Sequence, residues 1–268
     1  MLMEQEHFDL DLVNNYREKY VVFLDLLGFR EVVKKIGRDV LERHRVVEAL
    51  KLVKGTLSTS PSIDLRFTHF SDCIVLSAER SPHALWEIFQ SVELLTFNLL
   101  QHDFFVRGGL TVGPTHHSKD FVFGTAVTEA YELESKIASA PLVLLSAEVV
   151  QDTMKLGPDF AQWLKEDGPN RYFVNYLMRY AEYTSERQVG QVILEYPAER
   201  IAFFVNQRLN NDKDGVLKKA QWFQMYWNDT VASRGKLPRI EAGTNLAKIE
   251  RGPTIIVRRL VAPVVGRG

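Results

Sequence analysis

The stretch VVFLDLLGF, Val21 to Phe29, decides how the rest of the chain is read. Val21 to Leu26 is β-branched, aromatic and aliphatic apart from Asp25, which is the composition of a short buried strand. Gly28 follows at once and a segment of helical spacing begins beyond it, so a strand turns directly into a helix with an acid near the junction. Downstream, Val32, Ile36, Val40, Val47, Leu50 and Leu57 recur at three- and four-residue steps or their multiples, with Gly37 and Arg38 as the break between two helices. Ile63 to Leu76 (IDLRFTHFSDCIVL) reads as two strands meeting around Ser71 and Asp72, a hairpin with an acid at its tip.

Ser81 and Pro82 make a good N-cap and first-turn pair, and Leu85, Ile88, Val92, Leu95 and Leu99 mark one face of a helix of about 20 residues. Phe104 to Val112 is strand-like, Gly113 and Pro114 are expected to break it, Phe121 to Gly124 leads into a helix from Thr125 to Ser139, and Leu142 to Leu145 is another buried strand. This order predicts an α+β fold, with helices packed on a largely antiparallel sheet. Beyond about residue 156 the pattern changes to a turn at Asp167 to Asn170, a strand at Tyr172 to Leu177, helices at Pro197 to Leu209 and Val216 to Val231, and a strand at Thr254 to Val257. We therefore expect a catalytic core at residues 1–155 and a mostly helical C-terminal elaboration at residues 156–268 that completes or flanks it.

Lysine and arginine together number 33 against 34 acids, so no general field attracts a polyanion, and neither nucleic acid nor a membrane is an expected partner. The single cysteine, Cys73, excludes an internal disulfide and fits a reducing compartment. The first residues are acidic where a secretion signal is basic and then apolar, and no apolar run approaches the ~20 residues of a membrane span. A cytoplasmic protein is the simplest reading.

Strand periodicity puts Phe23 with Asp25 on one face and Phe70 with Asp72 on another, so the two acids can converge at one end of a sheet. Carboxylates brought together repel unless a cation lies between them, and hard divalent ions prefer oxygen ligands, commonly completed by phosphates. Paired ions of that kind polarise the attacking and leaving oxygens of a phosphoryl transfer. Backbone N–H groups of Leu27, Gly28 and Phe29, at the positive end of the following helix, are suited to phosphate. Spacing by itself is compatible with acids that merely form turns or cap helices.

Four blocks carry a resemblance. FLDLLGF (Phe23 to Phe29) resembles the first metal signature of the class III nucleotidyl cyclases, and FSDCIVLS (Phe70 to Ser77) their second metal-binding hairpin, with Ser71 where most members have Gly. VRGGLTVGP (Val106 to Pro114) is similar to the strand that follows, and VFGTAVTEAYELESKIA (Val122 to Ala138) to their Gly-led helix. As a whole the chain most resembles the pyrimidine cyclases of the Pycsar anti-phage defence of bacteria. The resemblance implies a ferredoxin-like βαββαβ core and two divalent ions, Mg²⁺ or Mn²⁺, held by Asp25, Asp72 and the Leu26 carbonyl. It further implies a nucleoside triphosphate substrate with UTP favoured, cyclic UMP and pyrophosphate as products, a homodimer with composite sites, and a separate effector that responds to the cyclic nucleotide.

Departures from the family pattern carry the base reading. Thr68 and Phe121 stand where purine cyclases place their base readers, Thr128 replaces the ribose-positioning Asn, and Glu132 replaces the transition-state Arg. Phe23, Thr68 and Phe121 are candidate walls for a smaller base. Lys136 is either the replacement positive charge or half of an i, i+4 surface pair with Glu132. Arg107 is either a phosphate contact or a structural residue. His116 and His117 are expected in a polar loop, pointing apart into solvent, and Trp222, Tyr226 and Trp227 in the core or a dimer contact. A cytidylate or adenylate cyclase and a non-catalytic nucleotide sensor are the alternatives.

Overall fold

Alternation along the first strand sets the layers. In β1 (Arg17–Leu27), Tyr20, Val22, Leu24 and Leu26 are sealed into the main core, whereas Phe23 and Asp25 on the opposite face stay partly open. The computed structural model describes residues 15–58, 64–178, 188–211, 213–231 and 239–241. After β1 come α1 (Phe29–Ile36) and α2 (Val40–Ser58), split at Gly37 as the sequence predicts, then the hairpin of β2 (Arg66–Phe70) and β3 (Cys73–Glu79). Helix α3 (Pro82–Leu100) follows, capped by the Ser81 hydroxyl, which accepts a hydrogen bond from the Ala84 N–H at 3.2 Å. It leads to β4 (Phe105–His117).

Strands β2, β3, β1 and β4 lie side by side in that order, each antiparallel to its neighbour. With two strands separated by helices and a third inserted between them, this is the ferredoxin-like arrangement, and the fold is α+β. After β4 the chain forms the short β5 (Val122–Gly124) and α4 (Thr125–Glu132), and one π-helical turn (Leu133–Ile137) continues α4. Strand β6 (Val143–Leu145) then returns parallel to β4. Helices α5 (Ala147–Lys155) and α6 (Pro158–Ala161) precede β7 (Leu164–Glu166) and β8 (Tyr172–Val174), which extend the same sheet beyond β6. Helices α7 (Gln188–Leu209) and α8 (Asp214–Thr230) are the last described elements.

Several sequence expectations give way to packing. Helix α3 is buried on every side rather than along one face, because α2, the sheet and the aromatic side chains Phe160 and Trp163 surround it. In α2 the sealed line is Val46, Ala49, Val53 and Leu57, while Val40 and Val47 are exposed: the helix is apolar on more than one face, and packing against α3 and α1 selects which is covered. Gly113 and Pro114 do not end β4, which continues to His117 by pairing first with β1 and then with β5. His116 and His117 are therefore buried strand residues rather than loop residues. Ile137 is exposed, because the π turn rotates it outward. Helix α7 begins at Gln188, earlier than Pro197, and the strand expected at Thr254 to Val257 lies outside the described residues. Trp227 and Tyr226 are core, and the Tyr226 hydroxyl accepts from the Leu177 N–H at 2.9 Å and donates to Asn175 Oδ1 at 2.9 Å.

Candidate functional site

Asp25 sits near the end of β1, directly opposite Cys73 on β3 and Arg107 on β4. Asp72 occupies the β2–β3 turn, and its carbonyl accepts a hydrogen bond from the Leu26 N–H at 3.1 Å, tying the turn to β1. Ser71 bends the chain there with φ 57°, a left-handed conformation that glycine adopts without cost. One ligand atom each from Asp25, Asp72 and Cys73 lie within 4.8 Å of one another. The pair of acids is thus assembled by the sheet.

For Asp25 the charged form is disfavoured. Burial pushes the Asp25 carboxyl up to about 6; Glu134 and Asp72 push in the same direction, and Arg107 and Lys219 only partly offset them. Burial, Asp72 and Asp25 push the Cys73 thiol up to about 11, so it stays a neutral, soft group. Two carboxylates suit a hard divalent ion, whereas a protonated thiol does not, so the donor set fits the metal reading through Asp25 and Asp72.

Arg107 and Glu134 were not singled out together by the sequence. The Arg107 guanidinium lies 3.7 Å from the Asp25 carboxylate, donates to the buried Glu134 carboxylate at 2.6 Å and donates to the Ala138 carbonyl at 3.2 Å. The π turn aims Glu134 inward, in line with the buried Ala126, Ala130 and Ala138 at four-residue steps. An acid in that run of alanines was the available signal. Close packing of α4 on β4 depends on Gly109, where a Cβ would run into the Ala130 carbonyl and the Leu133 side chain. Gly28, with φ 82°, starts α1 and faces open space.

Phe23 is half-buried and meets Tyr131 edge-on at 5.4 Å. Thr68 pairs with Val75, which pairs with Phe23, so Phe23, Thr68 and Asp25 share one face of the sheet. The Thr68 hydroxyl is held by His117 Nε2 at 2.9 Å, and His117 Nδ1 meets the Ser77 hydroxyl at 2.8 Å. Burial pulls the His117 imidazole down to about 4, so it is neutral at physiological pH. Phe121 is exposed ahead of β5, and no ring contact or hydrogen bond joins it to Thr68 or Phe23 among the described residues. Thr128 is exposed and its hydroxyl turns back to the Gly124 carbonyl at 3.4 Å, while Lys136 pairs with Glu132 at 2.6 Å on the helix surface. Within one chain, then, Phe23, Thr68, Asp25 and Asp72 come together, and Thr128 and Lys136 do not join them.

No protein-family model matches the chain, and no curated protein does. Among solved structures, a bacterial light-regulated adenylyl cyclase is similar over 50% of this chain, with 19% identity and a TM-score of 0.40, and this chain spans 44% of its length. An adenylate/guanylate cyclase/hydrolase from Silicibacter pomeroyi is similar over 59% of this chain and 94% of its own, with 17% identity and a TM-score of 0.40. Among the described residues, no helix is long and apolar enough to cross a membrane.

Proposed function

We propose that this protein is a cytoplasmic, metal-dependent nucleotidyl cyclase that converts UTP to 3′,5′-cyclic UMP and pyrophosphate. The observation that carries the reading is the convergence of Asp25 and Asp72 beside a strand-to-helix turn, in an electrostatic setting that calls for a cation. Asp25, Asp72 and the Leu26 carbonyl would hold two divalent ions, Mg²⁺ or Mn²⁺. Such ions supply Lewis acidity, which activates the ribose 3′-hydroxyl and offsets charge on the α-phosphate.

The chain's own groups do the rest by positioning. Arg107, locked to Glu134 and Ala138, fixes the Asp25 carboxylate from the side. Backbone N–H groups of Leu27, Gly28 and Phe29 lie at the start of α1, where the helix dipole favours phosphate. The base would rest against Phe23, with the neutral Thr68 hydroxyl, oriented by His117, as its polar partner and Phe121 at the rim. A purine held without charged readers would bury unsatisfied polar edges at ~1–3 kcal/mol each, so the neutral wall favours a pyrimidine.

The reading includes a homodimer. Tyr131, Ile137, Phe121 and Phe123 are exposed around α4 and the β4–β5 turn, a concentration of apolar side chains that a second copy would cover. Thr128 and Lys136 would then serve the partner's nucleotide. In this reading cyclic UMP would be a messenger read by a separate effector.

The test is incubation of purified protein with each of the four nucleoside triphosphates and Mn²⁺ or Mg²⁺, with products identified by mass spectrometry and Asp72→Asn as control. Cyclic UMP as main product, absent in the control, is expected. Mainly cyclic AMP or GMP would overturn the base reading, and no cyclic product from folded protein would overturn the cyclase reading.

A further inference from the structure

A cavity of about 400 Å³ opens beside Gly28, between α1 and the α7–α8 hairpin of the C-terminal part. Its wall includes Lys35 of α1, Arg208 near the end of α7, Lys213 just before α8 and Lys219 within α8. Three acids also reach it, yet each already has a cation: Asp103 is bound by Arg45 at 3.3 Å and Arg200 at 2.7 Å, Glu42 by Arg45 at 2.5 Å, and Glu31 by Lys34 at 2.8 Å. By contrast, no carboxylate among the described residues lies within the 4.0 Å of an ion pair from Lys35, Arg208, Lys213 or Lys219.

Unpaired cations are costly where water is scarce. The Arg208 guanidinium lies over the Phe204 ring at 4.6 Å, and burial lowers its pKa. Burial likewise lowers that of Lys219, which also feels the charges of Asp25, Glu134 and Arg107 and so stands between the acidic cluster and the cavity. The arrangement is a half-dry, cation-lined chamber that begins at the phosphate-suited turn and ends at Lys219, which feels the charge of Asp25.

We propose that the α7–α8 hairpin completes the active site, with Arg208, Lys213 and Lys219 binding the β- and γ-phosphates of the triphosphate and then the departing pyrophosphate. The proposal rests on the cyclase reading for its substrate. In the reaction, the ribose 3′-oxygen forms a bond to the α-phosphorus and loses its proton to water. The bond from that phosphorus to the α–β bridging oxygen breaks, and its electron pair leaves on pyrophosphate. Cations around the β- and γ-phosphates stabilise that growing charge. A C-terminal segment is thereby part of the catalytic machinery.

Inorganic tripolyphosphate, which has no base or ribose, tests the subsite by calorimetry on the full chain, alongside steady-state kinetics with UTP. The variants are Lys213→Gln, Lys219→Met and the triple Arg208→Gln/Lys213→Gln/Lys219→Met. Lys218→Gln, whose exposed ammonium pairs with Asp214 at 2.7 Å, is the control. Loss of a charge-assisted contact predicts about tenfold weaker tripolyphosphate binding per residue and a matching fall in kcat/KM, with the control unchanged. If the triple variant does not fold, the exposed Lys213→Gln decides. Tripolyphosphate binding within twofold of wild type in the folded variants would overturn the subsite even if UTP is cyclised. Binding that is lost in the variants, with no triphosphate cyclised by wild type, would leave the subsite standing and remove the cyclase reading instead.

Discussion

Replacing Asp25 by Asn should make the metal-free protein more stable while abolishing turnover. The Asp25 side chain is only 22% exposed, and its carboxyl is raised from an ordinary 3.8 to about 6. The folded state therefore holds that proton more tightly than the unfolded chain does. Between pH 3.8 and about 6 the folded state binds more protons, so stability falls as pH rises through this window and the loss is complete above it. At ~1.4 kcal/mol per tenfold in the protonation equilibrium, the full penalty is about 3 kcal/mol at pH 7.5. Asparagine keeps the shape and sheds the charge, so Asp25→Asn should gain up to about 3 kcal/mol in EDTA at pH 7.5 and almost nothing at pH 4. Urea unfolding followed by tryptophan fluorescence measures both. Added Mn²⁺ should then stabilise wild type and leave the variant unmoved, since ligand stabilisation requires binding to the native state. A variant less stable than wild type in EDTA at pH 7.5, or one that gains as much from Mn²⁺, would refute the reasoning.

Arg107→Met strands the Glu134 carboxylate, and urea titration should give a loss of about 2–4 kcal/mol, most of it recovered in Arg107→Met/Glu134→Leu; a single variant within 0.5 kcal/mol of wild type would contradict the pairing. The imidazole of His117 is held near 4 against an ordinary 6.5, so the unfolded chain gains its proton first as pH falls, and stability present above pH 6.5 drains by about 3 kcal/mol toward pH 4. His117→Gln should flatten that part of the pH profile, and an unchanged slope in urea midpoints between pH 7 and 4.5 would count against it. Ser71→Gly relieves a left-handed residue and should raise the unfolding midpoint by several tenths of a kcal/mol, whereas a loss above ~1 kcal/mol would mean that the serine side chain is needed.

What the sequence made legible was local. VVFLDL announces its strand, Gly37 its break, Ser81 its cap, and the acid at the hairpin tip is visible without coordinates. Residues whose role depends on distant partners were not legible. Arg107 acquires its meaning only once β1 and β4 are in register, and Glu134 only once a widened helical turn aims it inward. Lys219 comes from a helix whose placement beside β1 no periodicity encodes. Glycine and proline suggest an end to β4 before His117, whereas pairing with β5 carries the strand on through a buried His117. Apolar spacing in α2 names residues on more than one side, and which of them is sealed is settled by the neighbouring helices α3 and α1.

The two acids stand where the ladder between β1 and β3 puts them, with Asp25 facing Cys73 across one rung and Asp72 fastened to Leu26 at the next. A slip of one residue in β1 would turn Asp25 into the core and Leu24 or Leu26 out to solvent, since side chains alternate with a period of two. The separation of the acids is therefore inherited from the deeply buried Val22, Leu24 and Leu26 rather than adjustable in a loop. Variation over generations meets a site that can be switched off by one substitution but not shifted by a fraction of an ångström. On the proposed cyclase reading, new substrate preferences would arise around a fixed pair of acids, at residues such as Thr68 and Phe121 and on the helices that approach from outside the sheet.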